Sequence, residues 1–177
     1  MKEEHRHYDD FDSGVEWGTP KWVVLPLYRA IDGYDLDPAS GAEPTEYAEN
    51  KFTKKDNGLA QEWFGHVWLN PPYGREHNKD WAKKTYNQAP ICKSITCLVP
   101  AATSTDWWQK YYSKADIFCF VDTRIKFIGA GDNGASFANV ICVFNSQNLP
   151  EQYFRELSRM GTLVKRVQIN EGSVFDY

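Results

Sequence analysis

The apolar positions of this chain fall in short runs separated by polar turns, and the runs alternate between strand-like and helix-like spacing. A helix start signal appears first at Thr19-Pro20, with Thr19 as N-cap and Pro20 at the first helical position. Helical spacing continues through KWVVLPLYRAI, where Pro26 predicts a kink or an early end. GYDL is then a short strand ending in the acid, proline and small residues of DPASG. TEYAENKF reads as a helix fragment and KKDNGL as a turn. HVWLN is a second strand, NKDWAKKTYNQA an amphipathic helix and SITCLVP a buried strand. STDWWQKYYSKA is predicted helical, capped by Ser104 or Thr105. DIFCFV, RIKFI and FANVICVFN read as strands, NLPEQYFRELSRMG as a helix ended by Gly161, and TLVKRVQI as a final strand.

Strands alternating with helices predict an α/β fold, a mostly parallel sheet with helices on both faces. Ligands of such sheets collect beyond the carboxyl ends of the strands. Two predicted strands end there in polar residues, GYDL at Asp37 and HVWL at Asn70. A length of 177 residues suits one domain, spanning 17–177 after a polar, flexible stretch 1–16. No apolar run approaches the roughly 20 residues of a membrane span, and MKEEHRHYDDFDSG lacks a signal-peptide core. A cytoplasmic protein with no membrane contact is expected, with a monomer the simplest state. The net charge of −4 argues against a protein that simply coats nucleic acid and leaves room for a local basic face. Cys92, Cys97, Cys119 and Cys142 lie in or beside apolar runs and read as buried thiols in a reducing compartment. They and the scattered His5, His7, His66 and His77 lack metal-ligand spacing, so no metal is expected.

The candidate chemistry sits in HVWLNPPYGREHNKDW. The Asn70 side chain offers an acceptor oxygen, and the carbonyl of Pro71 is held in direction by Pro72. Neither proline has an N–H to compete. The segment can therefore present two acceptors to one planar amine, while Tyr73 supplies a flat face for its ring. The matching substrate is an aromatic amine whose lone pair is delocalised into the ring. Accepting both hydrogens returns electron density to nitrogen and favours the geometry of attack. No strong base is needed, because the proton can leave after methyl transfer; orientation and electrostatic placement supply the rate.

NPPY is the signature of amino-methyltransferases that use S-adenosylmethionine, and its surroundings are more specific. EWGTPKWVVLPLYRAI, YDLDPASG, DNGLAQEWFGHVWLNPPYG, LVPAATSTDWWQKYY, RIKFIG and ASFANVICVF follow in an order that resembles the phage and prophage DNA N6-adenine methyltransferases (Dam-like), from about Trp17 to Phe144. The resemblance implies a Rossmann-like methyltransferase fold and a flipped-out adenine. Asn70 and the Pro71 carbonyl would then bind the adenine amine, with Pro72 fixing that carbonyl and Tyr73 stacking on the base. Trp17, Thr19 and Pro20 would touch the methionine end of S-adenosylmethionine, Asp37, Pro38 and Gly41 would form its loop, and Asp56 would lie near its adenine. Gly41-Ala42-Glu43 departs from the family pattern by lacking a second glycine, which leaves Asp35 or Glu49 for the cofactor ribose.

Arg75, Arg124 and Lys126 adjoin these segments and are the expected phosphate contacts of a DNA duplex. Lys79 and Lys83 describe an ordinary solvated helix face, and Trp107-Trp108 and Tyr111-Tyr112 are expected to pack on the sheet. RNA adenine or a protein glutamine amide is an alternative acceptor for the same chemistry. A silent DNA-binding remnant is the alternative of another class.

Overall fold

The computed structural model describes residues 17–41, 46–130 and 136–168, without the side chains of Arg75 and Glu76. The stretch 1–16, Glu43 and the centre of the glycine-rich 128–136 loop lie outside the described residues. The elements run α1 (Lys21–Ala30), β1 (Tyr34–Asp37), β2 (Ala48–Lys51), β3 (His66–Leu69), α2 (Arg75–Gln88) and β4 (Ser94–Pro100). There follow α3 (Asp106–Lys110), β5 (Ile117–Val121), β6 (Asn139–Phe144), α4 (Glu151–Ser158) and β7 (Gly161–Lys165).

Among the described residues, seven strands form one sheet in the order β2-β1-β3-β4-β6-β5-β7. β2, β1, β3 and β4 pair in parallel, whereas the β4–β6, β6–β5 and β5–β7 ladders are antiparallel. The sheet is therefore mixed, and the expected parallel arrangement holds for its first four strands. β4 and β6 are buried along their whole length, which is why they read as unbroken apolar runs. One face packs on Val23, Val24 and Leu27 of α1 and Tyr153 and Leu157 of α4. The other packs on Trp81 and Ala82 of α2 and on Trp108 and Tyr112, so helices do cover both faces. The Tyr153 hydroxyl lies 2.6 Å from both Tyr34 Oη and Thr96 Oγ1, pinning α4 to β1 and β4.

Several local expectations are corrected. Pro20, not Thr19, is the N-cap of α1, and no side chain caps that end. Pro26 does not end the helix: its missing N–H strands only the carbonyl of Trp22, a residue on the exposed side where water can serve it. AENK is the edge strand β2 rather than a helix fragment. RIKFI joins no ladder and makes a single bridge, Ile128 to Gly18. Gly161 opens β7 instead of closing a helix, since α4 is already capped at Arg159; glycine is needed there because a Cβ would lie 2.0 Å from the Phe120 carbonyl oxygen. Thr105 does cap α3, accepting from the Trp108 N–H at 3.4 Å.

The four cysteines are free and buried. Burial pushes the Cys92 thiol up to about 11 and that of Cys119 up to about 12, so neither supplies a thiolate at neutral pH. Among the described residues no helix is long and apolar enough to cross a membrane, and no cluster of His, Cys, Asp and Glu could hold a metal ion.

Candidate active site

β1 and β3 are parallel neighbours at the centre of the parallel half, with Leu36 opposite Val67. From β1 the chain goes outward to β2, and from β3 it goes the opposite way to β4. The crevice beyond the carboxyl ends of β1 and β3 is therefore a topological switch point. DPASG leaves β1 into this crevice and NPPY leaves β3 into it, so the two motifs share one end of the sheet.

β3 stops at Leu69 because Pro71 and Pro72 have no N–H to extend a ladder. Pro71 is buried and Pro72 exposed. Asn70 Nδ2 donates to the Trp17 carbonyl at 2.9 Å. Its Oδ1 accepts from the Tyr73 hydroxyl at 2.8 Å, and that hydroxyl also lies 3.2 Å from the Leu98 carbonyl oxygen. One proton serves both acceptors in turn. Burial, then the nearby Cys97, holds the Tyr73 hydroxyl well above its usual range, so it stays a donor.

Aromatic rings enclose Tyr73. Trp17 stacks on Phe127 with centroids 5.6 Å apart, and Tyr73 meets Trp17, Phe127 and Phe137 edge-on at 6.0, 5.6 and 5.5 Å. The collar is closed by two 2.9 Å backbone hydrogen bonds between Gly18 and Ile128. Trp17 thus sits with Asn70 and Tyr73, and Thr19 and Pro20 are buried behind it at the start of α1. The sequence reading missed Phe127 and Phe137, whose alternation with polar neighbours looked like ordinary strand.

At the β1 side, Asp37 is 3% exposed and its Oδ1 accepts from the Ala39 N–H at 3.0 Å, which turns the chain. The end of β2 is stitched to this turn: the Phe52 N–H donates to the Asp37 carbonyl at 2.9 Å and the Ser40 N–H to the Phe52 carbonyl at 3.0 Å. Pro38 is buried and Gly41 half-buried. Gly58 of DNGL presses on the loop so closely that a Cβ would lie 1.9 Å from the Pro38 carbonyl oxygen. Ser40 Oγ is buried with no hydrogen-bond partner. A small-residue cradle with an unsatisfied hydroxyl fits a polar ligand lying along the loop.

Asp56 and Asp35 have partners within the protein. Asp56 is exposed, and its Oδ2 accepts from the Thr53 N–H at 2.7 Å and the Thr53 hydroxyl at 2.6 Å, which holds its carboxyl below the usual range. Asp35 lies toward the amino end of β1, away from the crevice, where it accepts from the His66 N–H at 2.6 Å. Gly65, with φ +65°, passes tightly beneath that carboxylate. Glu49 is exposed on β2.

Arg124 and Lys126 are exposed on the segment that carries Phe127, at the outer side of the aromatic collar. The Arg75 side chain lies outside the described residues. Lys79 and Lys83 are exposed on α2, while Lys84 reaches back over the Trp63 ring at 5.8 Å. Trp108 and Tyr112 pack in the core as expected.

Residues 10–172 match the family model described as DNA N-6-adenine-methyltransferase (Dam). The chain belongs to this family. A DNA N-6-adenine-methyltransferase of Escherichia phage T1 is 37% identical to it over 112 residues, 62% of this chain and 45% of the relative. The match thus spans less than half of that relative's length. The family model encloses both crevice motifs and the collar, from Trp17 to Phe137.

Proposed function

We propose that this chain transfers a methyl group from S-adenosylmethionine to the exocyclic N6 amine of an adenine turned out of a DNA duplex. The observation that carries the reading is the placement of Asn70-Pro71-Pro72-Tyr73 and Asp37-Pro38-Ala39-Ser40-Gly41 across one switch point, in a chain of this family. The parallel half of the sheet then serves as a Rossmann-like unit. Asp37, Pro38, Ser40 and Gly41 would hold the cofactor, with Gly58 supporting them from behind. When bound, S-adenosylmethionine supplies an electrophilic methyl group on a sulfonium. Asn70 Oδ1 and the Pro71 carbonyl accept the two amine hydrogens and aim the nitrogen toward β1. Burial behind the collar excludes water and strengthens both hydrogen bonds. With the buried thiols protonated, the chemistry fits an amine nucleophile and no enzyme thiolate. Asp56 and Asp35 have other partners, so the cofactor's adenosine is better served by the Asp37 loop and the end of β2.

The structure has Tyr73 turned in, its hydroxyl on the very oxygen that the amine needs. Substrate entry requires that hydroxyl to leave Asn70 and the ring to present its face to the base. Tyr73→Phe removes the competing donor and keeps the ring; it is expected to hold kcat within about threefold with an equal or lower KM for DNA. Tyr73→Ala loses stacking worth about 1–3 kcal/mol and should raise KM about 5- to 150-fold. Equal KM values for the two variants would remove the stacking role.

Arg124 and Lys126 would contact phosphates. Replacing either with Glu should weaken DNA binding for all sequences and lower the salt dependence by about one phosphate contact. An unchanged salt slope would place the duplex elsewhere.

The function is tested by incubating the purified chain with methyl-labelled S-adenosylmethionine and unmethylated DNA, RNA or protein. Label recovered from DNA as N6-methyladenine is the expected result. Label in RNA or glutamine would move the acceptor, and absence of cofactor binding would make the chain a non-catalytic member of its family.

A further inference from the structure

Asn139 opens β6 at the same end of the sheet as the NPPY turn, paired with Pro100 at the end of β4. It is 2% exposed, yet neither Oδ1 nor Nδ2 has a hydrogen-bond partner. A buried amide with both ends unsatisfied is rare in a finished fold and points to a partner that arrives from outside. Alternation along β6 puts Asn139 on the face of Ile141 and Val143, which pack in the cluster of Leu98 and Trp68. Asn70, two residues after Trp68, shares that face. Asn139 therefore lies across β4 from Asn70. The Tyr73 hydroxyl, 3.2 Å from the Leu98 carbonyl oxygen, and Phe137, whose ring is 5.5 Å from that of Tyr73, fill the ground between.

The direction matters. β1 and its loop lie on one side of β3, and β4 and β6 on the other. A base whose amine sits over Asn70 with its methyl donor on the β1 side extends its ring toward β4 and β6. Once Tyr73 swings out, the space it leaves lies beside Phe137, two residues before Asn139.

We infer that the Asn139 amide hydrogen-bonds the ring edge of the target adenine, Nδ2 donating to a ring nitrogen beside the amine, whose own two hydrogens go to Asn70 and Pro71. The amide N–H matches a ring-nitrogen acceptor on the adenine edge, and a base-edge contact of this kind helps to discriminate between bases. The assignment rests on the proposed adenine reaction, at a residue that neither cofactor loop nor NPPY includes.

The test begins by locating the adenine that the wild-type chain methylates, then uses duplexes carrying 1-deazaadenine or 7-deazaadenine at that position. One of the two analogues is expected to raise the wild-type KM about 10-fold or more, the loss of the hydrogen bond from Nδ2 to the ring nitrogen. Asn139→Leu should raise KM for adenine about 10- to 100-fold, become indifferent to that analogue and keep cofactor affinity. Its melting temperature should hold or rise, since a nearly isosteric apolar side chain removes two unsatisfied atoms. An active wild-type enzyme indifferent to both analogues overturns the inference alone, even where Asn139→Leu does not fold. A lower melting temperature for a folded Asn139→Leu would show that the amide is satisfied within the protein and also overturns it. A wild-type chain that leaves adenine unmodified overturns the inference together with the proposed function.

Discussion

Asn70→Ala is expected to lower the rate of methyl transfer about 100- to 1,000-fold while leaving cofactor affinity unchanged. Removing one preorganised hydrogen-bonding group at a centre of developing charge has an effect of this size, about 2.7–4 kcal/mol. Asn70 stands at the end of β3, on the opposite side of the switch point from the Asp37 loop, so its loss reaches the amine and not the donor. The fold should survive. Tyr73 keeps the Leu98 carbonyl as an acceptor, and the Trp17 carbonyl is freed only at a half-buried position, for a loss of about 1 kcal/mol. Asn70→Asp separates acceptor from donor. It preserves the oxygen that accepts from the amine, but sets a second acceptor and a charge against the Trp17 carbonyl, so it should retain more turnover than alanine at some cost in stability. Single-turnover rates with saturating cofactor and DNA are the measurement. Wild-type turnover in Asn70→Ala would sink the two-acceptor pocket, and an Asp variant as slow as Ala would point to the hydrogen bond to Trp17 as the group's main role.

The Asn-Pro-Pro-Tyr turn could be read from the sequence because its signal is local. An apolar run cut by Asn-Pro-Pro announces a strand end, and prolines forbid any continuation whatever the rest of the chain does. The same holds for the wholly buried β4 and β6. What the sequence hid was set by distant partners. AENK is polar and rich in helix formers, and it is a strand only because β1 offers an edge to pair with. RIKFI alternates like a strand, with Ile125 and Phe127 buried and Lys126 and Ile128 exposed, but it joins no ladder among the described residues and its bridge is to Gly18, near the start of the chain. The inward pose of Tyr73 depends on Asn70, Leu98 and three rings from separate segments, which no spacing encodes. Asn139 escaped notice because a polar residue at the head of FANVICVF looks like a strand boundary. Only the pairing with Pro100, far up the chain, reveals it as buried.

Gly58→Ala should be the most damaging change on the cofactor side. Its Cβ would stand 1.9 Å from the Pro38 carbonyl oxygen and 2.9 Å from the carbonyl carbon, both backbone atoms. Neither wall yields easily. Pro38 has a fixed φ and belongs to the turn held by Asp37 and Phe52. Gly58 itself is anchored by its carbonyl, which accepts from Trp63 Nε1 at 2.8 Å, and Trp63 is buried against Trp81. Relief must therefore come from the Asp37-to-Gly41 loop. Overpacking of this kind destabilises by about 1–3 kcal/mol, a fall of roughly 2–12 °C in melting temperature for a chain of this size. Stability alone would not mark the loop as the cofactor's seat, but a second glycine supplies the control. Gly161→Ala drives a Cβ to 2.0 Å from the Phe120 carbonyl oxygen, a comparable clash between β5 and β7, at the far edge of the sheet. Both variants should melt early. Adding S-adenosylmethionine should raise the melting temperature of Gly161→Ala as it does for the wild type, because binding to the folded state stabilises it. For Gly58→Ala that rise should shrink, with calorimetric affinity down about 10-fold where about 1.4 kcal/mol of the strain falls on the bound loop. A Gly58→Ala protein that binds the cofactor as tightly as Gly161→Ala would place the methyl donor away from this loop, and Ser40 would need another partner.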